Sequence, residues 1–219
     1  MLITEIHRSL KVFGAVLVSK LLTAYKLSFV VGSHAIIFSA SNLCMPLVGL
    51  FGSIQGASVV WAFLFALRLI SGSFSLSTLA FYLPGYCAAL YLATQSRIIR
   101  CGLPLLAMGL FVVHPVGFHA MVYSLYWLIP ALVGAGFGRS FFVQALGATF
   151  TAHAVGSVIW LYTVPMTSSD WLSLIPLVAV ERLTFAAGIV VAHAIIVGLA
   201  NFFSAKLPAI STQPSFLNR

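Results

Sequence analysis

The sequence predicts an all-α integral membrane protein, a compact bundle of about six transmembrane helices with seven as the alternative. The chain has 219 residues, of which 61% are hydrophobic and 6% are charged, and its mean hydropathy is +1.10. Soluble domains carry about 25% charged residues, so this chain lacks the side chains that a water-facing surface requires. Its long apolar runs do not alternate with period two, which favours helices over an outer-membrane barrel.

The charge distribution fits a membrane protein and argues against nucleic acid as a partner. The formal net charge is +8 at pH 7, but the basic residues flank apolar segments, as the positive-inside rule predicts. No basic patch is interleaved with aromatic residues. The three cysteines, Cys44, Cys87 and Cys101, have no paired spacing, so they indicate neither a disulfide framework nor a zinc site.

Three regions follow one another along the chain. Residues 1–26 form a basic amphipathic segment, predicted to lie at the cytoplasmic interface or to enter the membrane as the lower part of a long first helix. Residues 27–206 form a single transmembrane helical domain in contact with the lipid bilayer. Residues 207–219 are predicted to be a flexible cytoplasmic tail.

The stretch 27–70 is the most ambiguous part of the transmembrane domain. Its length suits two helices, whereas an even number of crossings requires it to cross only once. We therefore expect one crossing plus a re-entrant or interfacial piece, broken near Asn42 to Pro46. Two crossings in this stretch would give the seven-helix alternative.

Positive charges orient the remaining helices. Arg97, Arg100, Arg139 and Lys206 are assigned to the cytoplasmic side. The chain then runs inward over 76–96, outward over 102–117, inward over 119–138, outward over 141–164 and inward through the last helix. Both termini are predicted to be cytoplasmic in a bacterial inner membrane, and Asp170 is predicted to lie outside.

Small residues recur four positions apart in several of these segments. Such spacing lets helix backbones approach closely in lipid, so we interpret it as ordinary helix packing. The instances are Gly52/Gly56, Gly134/Gly138 and Ala148/Ala152/Gly156.

Glu181 and Arg182 interrupt an otherwise apolar run that begins near Pro176. Counting back about 20 residues from Lys206 reaches Ala186, which puts Glu181 ~7 Å further out, near the outer headgroup level. Adjacent helical residues point about 100° apart, so we expect the pair not to neutralise each other side by side. Two interpretations stay open: interfacial anchors that pair with neighbouring helices, or the mouth of an outward-facing cavity.

Five histidines lie in or at the ends of apolar segments, and four of them are informative. His114 and His119 flank a turn on the predicted outer side. His153 lies 14 residues from Arg139 and His193 lies 13 residues from Lys206, which places both roughly 20 Å from the cytoplasmic edge. These two could face each other at one depth and ligate haem or a metal. A hydrogen-bonding role requires fewer assumptions, so we expect no cofactor.

Motifs of familiar enzymes are absent from the sequence. It contains no GxxxxGK[ST] phosphate loop, no HExxH zinc pair and no GxSxG nucleophile elbow. No two carboxylates share one span, which argues against an intramembrane aspartyl protease. We therefore expect no enzymatic activity and no intrinsic ATP hydrolysis.

The chain resembles the substrate-binding S components of energy-coupling factor transporters. The resemblance rests on a length near 200 residues, six predicted helices, cytoplasmic termini and the lack of a nucleotide site. Pairs of small residues four apart, Ala15/Ser19, Ser28/Gly32 and Ala35/Ser39, have the form of the motif with which S components contact their coupling subunit. The resemblance implies capture of a vitamin or vitamin precursor on the outer side, with a coupling membrane subunit and ATPases as partners.

The leading hypothesis is thus a small-solute transport component that depends on energising partner subunits. Its substrate site is expected in the outer half, at Glu181, Arg182, Trp171, His114, His119 and Asn42. One alternative is a haem- or metal-binding redox protein that uses His153 and His193. A second alternative is a structural or assembly protein of the membrane.

Overall fold

The computed structural model describes Gly14 and residues 26–27, 38–39, 43–72 and 76–206, and it describes only the backbone of 26–27, 38–39, 76–81 and 203–206. Asn42, the tail 207–219 and nearly all of the basic segment 1–26 lie outside these residues. The three pairs of small residues that carry the resemblance lie outside them as well, apart from the backbone of Ser39.

The described part of the chain is helical apart from one short pair of strands, which supports the predicted all-α class. Strands β1 (Lys26–Leu27) and β2 (Phe38–Ser39) pair antiparallel, with Lys26 opposite Ser39. The helices are α1 (Cys44–Ile70), α2 (Leu76–Ala93), a π-helical turn (Ile98–Gly102), α3 (Leu103–Val113), α4 (Pro115–His119), α5 (Met121–Ser124), a 3₁₀ turn (Leu125–Trp127), α6 (Leu128–Gly134), α7 (Phe141–Thr163), α8 (Ser168–Ser173) and α9 (Ile175–Lys206).

Three of the described helices are long and apolar enough to cross a membrane. They are Cys44–Ile70, Phe141–Thr163 and Ile175–Phe202, with mean hydropathies of 1.7, 1.3 and 2.3. Ile98–Val113 and Met121–Gly134 are shorter apolar helices. Large apolar side chains of α1 and α9, such as Val59, Phe63, Val191 and Phe202, are exposed. Outward-facing apolar surface of this extent is typical of proteins that contact lipid.

Helix α1 is broken at Ser53, which has φ 62° and ψ −175°. Before the break, Met45 packs against Gly85 and Gly49 packs against Ala89, so this half runs parallel to α2. After the break, Ser58 bonds to Tyr86 and Arg68 bonds to Tyr82, so this half runs antiparallel to α2. The chain therefore reverses direction at Ser53.

The first half of α1 is a short buried helix, and only the second half has the length of a span. Met45, Leu47 and Val48 are buried, and the residues around Leu47 pack against α7 and α9. After Ser53, residues 54–70 extend ~25 Å at helical rise. A re-entrant or interfacial piece was predicted in 27–70, with a break near Asn42 to Pro46. Helix α1 begins within that range, at Cys44, and the structure has a further break at Ser53. Pro46 sits in the first turn of α1, where proline is compatible with a helix.

Helix α7 is the centre of the bundle and packs against α2 on one side and α9 on the other. A Cβ on Gly147 would lie 2.5 Å from the Tyr91 hydroxyl, so glycine is required for this close approach to α2. Ala148 is buried with Tyr91 and Val133. The small residues of α7 therefore act in helix packing, as their spacing predicts.

The segment between α7 and α9 inserts one side chain into the bundle, while most of its other residues stay exposed. Helix α8 in this segment carries Trp171, which is only 1% exposed. The indole lies 5.2 Å from the ring of Phe111 and 5.0 Å from the ring of Tyr123. The hydroxyl of Ser168 donates to the carbonyl of Val116, which fixes the segment to α4. Helix α9 then begins at Ile175, whose carbonyl accepts a hydrogen bond from the hydroxyl of Tyr126.

Candidate functional site

Tyr123, His153 and Ser157 form a hydrogen-bonded group inside the bundle. The hydroxyl of Tyr123 lies 2.8 Å from Nε2 of His153 and 3.2 Å from Oγ of Ser157. Oγ of Ser157 is also 3.5 Å from Nε2 of His153. Tyr123 and Ser157 are buried, so these polar groups satisfy one another where water has little access.

The helical repeat of α7 brings these polar groups to one face. Thr149, His153 and Ser157 are spaced four residues apart, and residues at i and i+4 lie above one another on a helix. Helix α5 supplies Tyr123 from the opposite side. Thr149 contacts α9, because its hydroxyl approaches the carbonyl of Arg182 at 3.4 Å.

Arg182 joins this face of α7 from α9. Its Nη1 donates to the carbonyl of Thr149 at 3.4 Å, and its guanidinium lies 4.8 Å from the ring centre of Phe185. Its Nη2 is 2.8 Å from Oε2 of Glu181, so the neighbours do form an ion pair. We name Tyr123, Thr149, His153, Ser157, Glu181 and Arg182 the polar cluster.

The ion pair corrects the expectation that adjacent helical residues cannot neutralise each other. The 100° rule describes the Cα–Cβ directions, but both side chains are long enough to curl back toward each other. The pair is partly shielded from water, since the side chains of Arg182 and Glu181 are 12% and 24% exposed. Nε of Arg182 is buried and has no hydrogen-bond partner, so this N–H donor of the guanidinium is unsatisfied.

The depth of the pair also differs from the prediction. Arg182 lies opposite Thr149, near the middle of α7 (Phe141–Thr163), rather than near its outer end. Counting back from Lys206 assumed that this residue lies at the cytoplasmic boundary, level with the start of α7. His193 instead contacts Phe141, the first residue of α7. The end of α9 therefore extends past α7, and Glu181 and Arg182 lie beside the middle of α7.

Trp171 is the predicted site residue that the fold brings beside the polar cluster. Its ring is 5.0 Å from that of Tyr123, and Phe111 and Trp127 complete an aromatic wall around the tyrosine. The indole nitrogens of Trp127 and Trp171 are buried without acceptors. Unsatisfied donors are uncommon in protein interiors and mark the wall as a place where a polar group could be accommodated.

His114 and His119 lie away from the polar cluster. His114 contacts the ring of Tyr162 at 4.9 Å and lines an open groove of about 500 Å³ together with Met166 and Thr167. Its Nδ1 is buried without a partner. His119 is exposed and contacts only the neighbouring ring of Phe118 among the ring contacts of the described chain. Asn42, the remaining predicted site residue, lies outside the described range.

His153 and His193 do not face each other. His193 stacks on Phe51 at 5.5 Å and lies 4.6 Å from Phe141, the first residue of α7. His153 is twelve residues further along α7, which corresponds to ~18 Å of helical rise. The predicted equal depth is wrong because α9 extends past the start of α7. The pair therefore cannot bind one haem or metal ion from two sides.

Within the described residues, no group of three or more His, Cys, Asp or Glu side chains is placed to hold a metal ion. Nε2 of His153 is bonded more closely to Tyr123 than to Ser157. The polar cluster brings hydroxyl, imidazole, guanidinium and carboxylate groups together within the bundle.

Sequence reasoning missed Tyr123, Thr149 and Ser157. The four-residue spacing of Thr149, His153 and Ser157 in an apolar helix is a signal that could have identified a polar face. Tyr123 carries no comparable signal, because its role depends on which helix packs against α7. Comparison of the chain with protein-family models, curated proteins and solved structures finds no match.

Proposed function

We propose that this protein is a multi-pass inner-membrane component that binds a small polar solute at the polar cluster and works with energising partner subunits. The observation that carries the proposal is the buried hydrogen-bonded group Tyr123–His153–Ser157 beside the Glu181–Arg182 ion pair. Polar and charged side chains are costly inside an apolar bundle, so they are retained chiefly where they act on a solute.

The composition of the polar cluster indicates the kind of solute. Arg182 and Glu181 cancel each other in charge, while Tyr123, His153 and Ser157 supply both donors and acceptors. The wall of Phe111, Trp127 and Trp171 adds flat apolar surface and two indole donors without acceptors. A small, uncharged or zwitterionic molecule with a ring system matches this combination, as a vitamin precursor would.

The dependence on partners follows from what the chain lacks. It contains no phosphate loop for nucleotide hydrolysis, and Glu181, the one acidic residue of the polar cluster, is paired with Arg182. A solute bound at the cluster would therefore need energy from other subunits. The resemblance to S components of energy-coupling factor transporters leads to the same expectation.

The solute site is tested by ligand binding to purified variants. Bound small molecules are extracted from protein purified from its own host, identified by mass spectrometry and titrated back onto the emptied protein. Tyr123→Phe removes the shared hydroxyl and is expected to weaken binding about tenfold, the cost of losing a buried hydrogen bond of roughly 1.4 kcal/mol. Tyr86→Phe is the matched control, because its hydroxyl makes an equally short bond, 2.8 Å to Ser58, at a different site.

The partners are tested in the same preparation. A coupling membrane subunit and ATPases are expected to co-purify in fixed ratio under mild detergent. Full uptake by the isolated chain in proteoliposomes would contradict dependence on partners. Equal binding by Tyr123→Phe and the unmodified protein would contradict the assignment of the site.

A further inference from the structure

Arg100 is a buried cation for which the described chain supplies no anion. The residue is 4% exposed and lies in the π-helical turn between α2 and α3. Two acidic residues are described: Glu181 pairs with Arg182, and Asp170 caps α8. A buried guanidinium without a counter-ion is strongly unfavourable, because burial removes its hydration and nothing replaces the lost charge interaction.

The contacts of Arg100 are well organised but neutral. Its guanidinium lies 4.6 Å from the ring centre of Tyr91, and the hydroxyl of Tyr91 donates to the carbonyl of Pro130 at 2.8 Å. Nη1 donates to Oε1 of Gln95, and Nε is buried without a partner. The side chain is thus held in place by an aromatic ring and an amide, while its charge is left uncompensated.

Gln95 occupies the position where a carboxylate would be expected. The residue is exposed and belongs to the turn after α2, so its side chain can swing away from Arg100 without disturbing the core. Its amide oxygen accepts from the guanidinium as one oxygen of a carboxylate or phosphate would. An incoming anion could displace this amide and gain a charge-assisted bond.

Other cations lie at the same end of the bundle. Gly134 lies very close to Arg100, because a Cβ added to Gly134 would be 2.7 Å from Cβ of Arg100. This contact brings the turn after α6 next to the turn after α2. These turns carry Arg97 and Arg139, which are both exposed. The described parts of both turns contain no acidic residue, so the local potential is positive.

We propose that Arg100 is the anchor of a binding site for a phosphate-bearing anion, entered by displacing Gln95 and flanked by Arg97 and Arg139. Arginine matches phosphate because its planar guanidinium presents parallel donors to two oxygens. Ile98 and Phe137, beside the site, are 81% and 67% exposed. These apolar side chains favour an anionic phospholipid as the source of the phosphate, with its acyl chains along them.

The experiment measures the unfolding midpoint of the full chain in detergent during titration with one of three probes. The probes are phosphatidylglycerol, zwitterionic phosphatidylcholine and inorganic phosphate. A saturable rise with phosphatidylglycerol alone identifies a lipid headgroup, and a rise with inorganic phosphate identifies a soluble anion. An equal rise with phosphatidylcholine, or no rise with any probe, would overturn the proposal.

Variants assign the effect to Arg100. Arg100→Gln is expected to weaken the apparent affinity for the effective probe at least about tenfold, the loss of a hydrogen bond to a charged group. Gln95→Glu supplies an internal carboxylate to Arg100 and is expected to fold at least as stably while responding weakly to the probe. Arg139→Gln removes an exposed flanking charge and is expected to weaken the apparent affinity for the probe less than Arg100→Gln does.

Gln95→Glu keeps the proposal testable even if Arg100→Gln fails to fold. A purely structural role for Arg100 predicts that Gln95→Glu responds to the probe as the unmodified protein does, and this result would refute the anion site. The solute site is separate, so Tyr123→Phe should leave the response to the probe unchanged.

Discussion

Ser53 shows how a single residue determines the course of a helix. Its φ of 62° with ψ of −175° lies in a region that is essentially restricted to glycine. It is the one residue other than glycine with positive φ in the described chain, and its buried hydroxyl has no partner. The packing of the first half of α1 against α2, α7 and α9 must therefore stabilise a strained backbone.

Substitution of Ser53 tests this strain. Ser53→Gly relieves the clash of the Cβ with the backbone and is expected to stabilise the protein by about 1 kcal/mol, after the entropy cost of glycine is subtracted. Ser53→Ala removes the orphan hydroxyl but keeps the Cβ, so it should stabilise less. Unfolding midpoints in detergent give the ranking. A Ser53→Gly protein no more stable than Ser53→Ala would show that the backbone is not strained.

Some residues at the polar cluster could be predicted from the sequence, and others could not. Glu181 and Arg182 could be singled out because charges are rare in this chain, and Trp171 because it falls in the predicted outer half. Tyr123 could not, since tyrosine is common in apolar segments and only packing against α7 gives it His153 as a partner. The unusual residue types were identifiable, whereas their partners depended on helix contacts.

Two glycines in α1 differ in how closely the neighbouring helix approaches them. Gly49 has no room for a side chain, because an added Cβ would lie 2.6 Å from Cα of Ala89. Gly56, seven residues later in the same helix, has nothing within 4 Å of that position. The two glycines therefore provide a matched pair of sites.

Alanine substitutions at this pair should have opposite effects. Gly49→Ala is expected to destabilise the protein by about 1–3 kcal/mol, since the backbones of α1 and α2 must separate. Gly56→Ala should be neutral or stabilising by up to about 1 kcal/mol through helix propensity. Denaturant unfolding in detergent measures both. Similar losses at the two sites would contradict the parallel packing of the first half of α1 on α2.

The cap of α8 is expected to depend on pH. Thr167 and Asp170 form a capping box, in which the Asp170 carboxylate accepts from the backbone and hydroxyl of Thr167. These bonds lower the pKa of Asp170, chiefly through the Thr167 side chain. A depressed pKa contributes stability above the unfolded value near 3.9, and this contribution is lost as the pH falls through the lower folded value.

Asp170→Asn isolates this contribution. The difference in unfolding midpoint between the unmodified protein and Asp170→Asn should be constant from neutral pH to about pH 5 and shrink below about pH 4. Comparing the two proteins cancels the titration of the other carboxyl groups. A difference that grows on acidification would show that the carboxylate does not cap α8.

At the scale of the whole molecule, helix positions were predictable and helix depths were not. The segments 76–96 and 141–164 correspond to α2 (Leu76–Ala93) and α7 (Phe141–Thr163), because charges and turn residues mark their ends. Depth was inferred by assuming that each helix runs from one membrane surface to the other. The reversal at Ser53 and the extension of α9 past the start of α7 both break this assumption.

The number of crossings depends on whether the shorter apolar helices span. The two shorter apolar helices, Ile98–Val113 and Met121–Gly134, correspond to ~24 Å and ~21 Å at helical rise, against a hydrocarbon thickness of about 30 Å. If both cross, the second half of α1, α2, these two segments, α7 and α9 give the proposed six crossings. The turns at residues 94–96 and 135–140 then share one side, and residues 71–75 and 164–174 share the other.

Reporter fusions distinguish these arrangements. Fusions after residues 95, 137 and 219 are expected to report a cytoplasmic location, and fusions after 72, 117 and within 165–171 an extracytoplasmic one. The basic turns with Arg97, Arg100 and Arg139 give the cytoplasmic side its positive charge, which is the physical reason for this orientation. Fusions after 95 and 117 on the same side would mean that 98–113 does not cross. An extracytoplasmic residue 219 would favour seven crossings.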